Sequence, residues 1–240
     1  MEKKVNGIVV KSVSYLEADK ILTIFTLEEG LITTKIKGVK KAGAKLKACS
    51  EPFCFAEFIL ASSTNRNIVT GASMYDGFYS LREDIVAFYA GAVALDFIKA
   101  FCPEGEVLPE HFDLLATFLK NLCYGDGIKE VVLIDFLLKA LKLSGYGFNL
   151  ATCATCGEDI TGRVFFDASS GSFYCIECVT NSMEISAKTY SVLLNAENLL
   201  NAKVIDVDTQ YLKRALKLID FYIEERIGEK LKALKDFIEL

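Results

Sequence analysis

Four of the chain's eight cysteines fall inside CATCGEDITGRVFFDASSGSFYCIEC, residues 153–178, as two C-x-x-C pairs. Cys153 and Cys156 form the first pair; Cys175 and Cys178 form the second, with 18 residues between the pairs. Thiolates two residues apart bend around one ion, because the turn points both sulfurs inward. Two such knuckles supply the four sulfurs of a tetrahedral site. Whatever fold surrounds this segment must bring two distant turns to one point, and no other feature constrains the chain as tightly. Gly157, just past the first knuckle, and Gly171, before the second, suit the tight backbone that such turns need.

Disulfides or a redox dithiol compete with this reading. MEKKVNGIVVKSVSY shows neither an apolar h-region nor a small-residue cleavage site. The expectation is therefore a reducing cytosol, where structural disulfides are rare. A thioredoxin-type motif needs one C-x-x-C opening a helix, whereas both pairs here lie in polar turns. Zinc is favoured; iron also suits four sulfurs. Protein fills every coordination position, which leaves none for a catalytic water and makes the ion a clamp. Cys49, Cys54, Cys102 and Cys123 lie among apolar residues and are expected to be buried as small hydrophobes.

The net charge of −5 argues against nucleic acid, but its distribution does not. Residues 1–50 carry ten lysines against five acids, whereas 51–150 carry seven bases against thirteen acids. The basic excess peaks in KIKGVKKAGAKLK, residues 35–47, with six lysines and no acid. A solvated surface strand could look like this, yet surfaces tuned only for solubility usually interleave both signs. Lysines beside the small residues Ala42, Gly43 and Ala44 can approach a phosphate backbone, which confers affinity without sequence preference. Of the aromatic residues nearby, alternation is expected to bury most of Tyr15, Phe25, Phe53 and Phe55.

The first 75 residues predict five short strands: VNGIVVKSVSY, KILTIFTLEEG, LITTKIKGV, FCFAEFILAS and RNIVTGASMY. A hairpin turn is expected at 28–30, with Gly30 at positive φ. Such a set fits a small closed barrel, of OB-fold or SH3-like type. From about residue 82 the period becomes helical, over 82–101, 109–123 and 128–145, and again over 185–200 and 209–228. Ser186 and Thr209 are the expected N-caps and Gly228 the stop. Residues 226–237 are expected to pack back on the fold, with phosphate contact by Lys230, Lys232 or Lys235 the lesser alternative. The fold class is thus α+β multidomain: a basic barrel over 1–78, a helical domain over 79–150 and 180–240, and a metal insertion over 151–179. No stretch is apolar for the length of a membrane span.

Nothing assembles an active site. His111 is the only histidine and is expected at the surface or in a cap at a helix head. Neither a P-loop nor a G-x-G-x-x-G occurs. Glu83–Asp84 and Glu224–Glu225 are adjacent pairs on helices and point apart, as solvated faces do.

Taken together, these features resemble the RecO family of DNA repair and recombination mediators over essentially the full length. The resemblance rests on YLEADKILTIFTLEEGL followed by the basic segment, on FCFAEFIL, on CATCG paired with SFYCIEC, and on the ending YIEERIGEKLKALKDF. It implies an N-terminal OB-fold, a helical domain and a zinc-binding insertion. It implies a non-enzymatic activity: binding single- and double-stranded DNA, annealing complementary strands and helping to load recombinase. Implied partners are RecR, the acidic tail of single-stranded DNA-binding protein and, indirectly, RecA, in the cytoplasm at the nucleoid. By position, one structural Zn2+ falls to Cys153, Cys156, Cys175 and Cys178, and DNA contact to Lys35, Lys37, Lys40, Lys41, Lys45 and Lys47. Here every base of that segment is lysine, where the family commonly has arginine; lysine lacks the planar fork, so its grip on phosphate is weaker. The alternative is a protein–protein adaptor that holds a structural zinc and does not touch DNA.

Overall fold

A computed structural model describes residues 2–61, 67–201 and 208–240. Five strands form a closed barrel: β1 (Glu2–Tyr15), β2 (Asp19–Thr26), β3 (Gly30–Ile36), β4 (Phe55–Ala61) and β5 (Ile68–Asp76), in the order β1-β2-β3-β5-β4. The expected ends of two strands, at Ser62 and Arg66, lie outside the described residues.

Closure depends on the length of β1. Its first half pairs with β4 and its second with β2, with a register shift between Val9 and Lys11 where it bends from one partner to the other. Gly7 sits at the crossing, where a Cβ would stand 2.5 Å from the Ile24 side chain. The last seam is parallel: Lys35 and Ile36 of β3 lie beside Ile68 and Val69 of β5. Alternate residues fill the interior, including Val5, Val9, Leu22, Ile24, Phe58 and Leu60.

The β2–β3 hairpin turns where expected. Glu29 N–H donates to Thr26 Oγ1, whose hydroxyl donates to the Gly30 carbonyl (2.8 Å). Gly30 adopts φ +66°, and a Cβ there would fall 1.8 Å from the Glu106 carbonyl oxygen.

Two compact units divide the chain, Met1–Cys123 and Tyr124–Leu240. The first adds to the barrel α1 (Ile85–Phe101) and α2 (Pro109–Tyr124), the latter but for its last residue. Asp84 caps α1 by accepting from Val86 and Ala87 N–H, so this acid is more than a solvated face. Phe112 of α2 packs its ring against Phe25 and Phe55. His111 is buried, at 7% exposure, in place of the surface position expected; its helix turns it inward, and burial lowers its pKa.

The second unit is built on α3 (Lys129–Leu143), which is buried almost all round. Around it lie α4 (Ala187–Leu194), α5 (Ala196–Asn201), α6 (Thr209–Tyr222) and α7 (Lys232–Glu239). The single helix expected over 185–200 is two, because Asn195 ends α4 by bonding back to Ser191 through both its backbone and its side-chain amide. Asp208, not Thr209, caps α6, its carboxylate accepting from Gln210 N–H. Gly228, at φ +80°, ends the π turn that prolongs α6. Residues 226–237 do pack back, through α7, where Lys235 pairs with Glu224.

Gly30→Ala should destabilise the protein by roughly 3 kcal/mol, since it combines a left-handed backbone with a steric overlap. The midpoint of denaturant unfolding would show it; an unchanged midpoint would mean that the turn is not held as described.

Candidate metal centre and nucleic-acid interface

The cysteine segment is more than a loop. Its strands β6 (Val164–Asp167) and β7 (Ser172–Cys175) join β8 (Met183–Ile185), which follows the segment, in a three-stranded sheet with β6 central. Gly171 turns the chain at φ +66° into β7, which ends at Cys175 and so delivers the second knuckle. Ala154 N–H donates to the Phe173 carbonyl (2.9 Å) and hangs the first knuckle on the same strand.

The outcome is one cluster. The sulfurs of Cys153, Cys156, Cys175 and Cys178 all lie within 4.8 Å of one another. Cys156 and Cys175 are 4.0 Å apart, close to the roughly 3.8 Å that a tetrahedral ion with Zn–S bonds of about 2.3 Å requires. Cys153 is buried and Cys156 exposed, so the cluster sits at the surface with one sulfur rooted inside. Burial opposes ionisation of Cys153, yet N–H groups of Cys156, Cys175 and Thr155 aim at it and bring the thiol down to about 6. Cys178 is pushed up to about 12, chiefly by its side-chain contact with Cys175 and then by desolvation. The Cys153 sulfur ionises readily while Cys178 holds its proton more tightly, an opposition that a bound cation relieves. Four thiols so arranged can hold a metal ion and are consistent with zinc.

Aromatic rings fasten this module to the helices behind it. Phe148 and Phe166 pack against Tyr222 of α6, and Phe173, in contact with both phenylalanines, meets Tyr190 of α4 at 5.2 Å. Both tyrosines donate to main-chain carbonyls, Tyr222 to Tyr146 and Tyr190 to Leu150. A Cβ on Gly171 would stand 2.9 Å from the Tyr222 hydroxyl, so glycine here serves both the turn and the close approach.

In the other unit the lysine segment leaves β3 and winds across residues 37–47 as consecutive turns. Lys41, Ala44, Lys47 and Ser50 N–H each donate to the carbonyl three residues back. Val39 (1% exposed) and Cys49 (6%) join the barrel core, with Leu46 packed against it. Between these anchors, Lys37, Lys40, Lys41, Lys45 and Lys47 are exposed, and none makes an ion pair among the described residues.

Lys35 is different. Its ammonium pairs with Asp19 at 2.8 Å and lies 4.7 Å from the centre of the Tyr15 ring. Asp19 also accepts from Gly38 N–H (2.8 Å). Lys35, then Gly38, hold its carboxyl below the usual value of 3.8. Lys40 N–H donates to the Ala18 carbonyl, tying the loop to the β1–β2 turn. At the far end, Lys20 pairs with Glu51 and reaches Ser50. Neighbouring residues of β2, of opposite charge, thus grip the two ends of the basic loop. The sequence placed six lysines together but did not disclose this clamp, because Asp19 and Lys20 lie some distance before the loop in the chain.

Of the other cysteines, Cys49, Cys54 and Cys102 are buried as expected of small hydrophobes, and burial pushes Cys54 and Cys102 up to about 12, whereas Cys123, near the end of α2, is only half-buried. No described helix is long and apolar enough to cross a membrane.

A β-barrel carrying a cationic loop, followed by a helical unit with a surface cluster of four cysteines, is the architecture in hand. The chain matches the family models described as Recombination protein O N terminal, over residues 1–78, and Recombination protein O C terminal, over 82–235. It is 30% identical to a protein named "DNA repair protein RecO" from Desulforamulus reducens, covering 95% of this chain and 91% of that one. It is 28% identical to the protein of the same name from Clostridium novyi, covering 98% and 93%. Its similarity to the Syntrophotalea carbinolica protein of that name is 33% identity, over 73% of this chain and 69% of the relative. The chain belongs to the RecO family of DNA repair proteins.

Two outcomes test this geometry. Stripping a bound metal with a chelator, or Cys153→Ser, should cost roughly 3 kcal/mol, seen as a melting temperature lower by roughly 6–12 °C; full metal loss with no shift would contradict a bracing role. Because the folded pKa of Asp19 is depressed, its contribution is present above 3.8 and is lost as pH falls through the lowered value. Exchange of the Gly38 amide should therefore quicken on acidification beyond its intrinsic pH trend, and Asp19→Asn should remove that response.

Proposed function

We propose that the protein is a non-enzymatic DNA-binding recombination mediator. It binds single- and double-stranded DNA, anneals complementary strands and helps to load recombinase during repair. The observation that carries this is the loop of Lys37, Lys40, Lys41, Lys45 and Lys47: five exposed cations outside any described ion pair, mounted on a barrel. Membership of a family whose relatives are named for DNA repair supports the same reading.

The barrel's strand order, its long β1 shared between two partners and its parallel β3–β5 seam support an OB-fold. We assign residues 1–78 to it, 79–150 with 180–240 to a helical domain and 151–179 to the metal insertion. Cys153, Cys156, Cys175 and Cys178 hold one Zn2+, whose four protein ligands leave no open position for catalysis. Zinc here supplies rigidity, shaping the helical domain for partners: RecR, the acidic tail of single-stranded DNA-binding protein and, indirectly, RecA. The working place is the cytoplasm, at the nucleoid.

Annealing follows from charge. Each strand carries a phosphate per nucleotide, and lysines that replace condensed counterions reduce the repulsion between two strands brought to one surface. Lys35 contributes to the field of this surface but spends its ammonium on Asp19, so the five loop lysines make the phosphate contacts. Contacts of this kind read the backbone and not the bases, as annealing of arbitrary sequences requires.

Changing Lys40, Lys41 and Lys45 together to Ala should weaken binding to single strands and flatten its salt dependence, lowering the log–log slope by about 2 at roughly 0.7 per phosphate contact. Fluorescence titrations across a salt series measure this. An unchanged slope would mean that DNA, if bound, lies elsewhere.

A further inference from the structure

The outer face of the β1–β2–β3 sheet, beside the lysine loop, has a composition that phosphate contact alone does not explain. Residues opposite each other across a pair share a face. Val13 lies opposite Ile21, and Ile21 opposite Lys35; Lys11 lies opposite Thr23. Side chains of this set are exposed or half-buried, while the alternate residues Leu22, Ile24 and Ile36 are inside. Tyr15 stands at the loop end of the face, 45% exposed, with Val13 at 46%. Two acids lie in the adjoining turn: Asp19 is occupied by Lys35 and by the Gly38 amide, and Glu17 is exposed.

Tyr15 is held in a particular way. The Lys35 ammonium lies 4.7 Å from its ring centre and is itself pinned by Asp19, so a cation stations one side of the ring. Among the described residues no other aromatic ring stacks on it. The next residue, Leu16, has φ +55° and is 70% exposed. A leucine in that backbone region costs about 1–2 kcal/mol where glycine would be free. The turn therefore accepts strain and displays apolar surface where a water-facing hairpin tip would carry Gly or Asn.

We infer that this face is a stacking platform, with Tyr15 receiving an unpaired base, and that it makes the protein prefer single strands to duplex. The inference rests on the DNA-binding reading and deepens it: lysines hold the backbone while Tyr15 takes a base. An aromatic ring beside a cationic track binds any base, because every base has a π face, and a base paired inside a duplex cannot reach it. Lys11 and Lys35 border the platform, and Val13 and Ile21 continue it as an apolar surface. Of the aromatics near the lysines in sequence, Phe25 and Phe53 are core and Phe55 is half-buried with its ring against Tyr75 and Phe112, which leaves Tyr15 for this role.

The test compares fluorescently labelled oligothymidylate, an abasic strand of the same length and a duplex, in anisotropy titrations at fixed low salt. The wild-type protein should bind oligothymidylate on the order of tenfold more tightly than the abasic strand, within the range for one stacked base. Tyr15→Ala should erase that difference while leaving abasic and duplex affinity unchanged, and Tyr15→Phe should retain it. Should Tyr15→Ala alter the melting temperature, Tyr15→Leu, which keeps apolar bulk without a π face, should also erase the difference. Equal wild-type affinity for the base-bearing and abasic strands, or a preference that survives in Tyr15→Ala and Tyr15→Leu, overturns the platform and leaves the lysine contacts standing. Binding to none of the three overturns both readings.

Discussion

Everything proposed for the first unit depends on cations being held in one place against their own repulsion. Two ammonium groups about 10 Å apart in water repel by only ~0.4 kcal/mol, less in salt. Burying a side chain such as Val39 is worth about 1.5 kcal/mol or more, and Leu46 and Cys49 add to it. Apolar anchoring therefore wins, and the loop stays wound on the barrel with its lysines outward. Asp19 and Lys20 then fix its two ends to β2, one through Lys35 and Gly38 and the other through Ser50 and Glu51. A polyanion meeting this surface finds charge already gathered and partly ordered, so less conformational entropy is lost on binding.

The second unit solves a different problem by related means. Its two knuckles are distant in sequence and meet because β7 carries one and hydrogen-bonds the other. The sheet they belong to is too small to bury its own faces, and it leans on Tyr222 and Tyr190 of the helices. The metal proposed for the rim and the aromatic rings at the base would restrain the same few strands from both sides. Four protein sulfurs would complete a tetrahedral site, which is why the role proposed for the metal is mechanical.

Much of this was legible from residue order. Alternation of Val, Ile, Thr and Phe located all five barrel strands, and the C-x-x-C pairs located the sulfur cluster. Gly30 and Gly228 were readable because only glycine is comfortable where the backbone turns left-handed. What stayed hidden depends on partners far along the chain. His111 gives no sign in sequence that its helix faces inward. The break at Asn195 arises from a local side-chain bond that helical periodicity ignores. Lys35 looked like its five neighbours until Asp19 appeared beside it, and Tyr15 became distinguishable from Phe25 and Phe53 only once exposure was known.

The claim that most needs a direct trial is that the basic loop of the barrel meets DNA while the metal module only braces. Hydrogen exchange read by mass spectrometry, with and without a saturating single strand, addresses both halves at once. The account predicts slower exchange on DNA addition across peptides from residues 11–23 and 35–50, and no change across 151–179. Protection confined to the cysteine module or the helices, with the loop exchanging as freely as before, would contradict it.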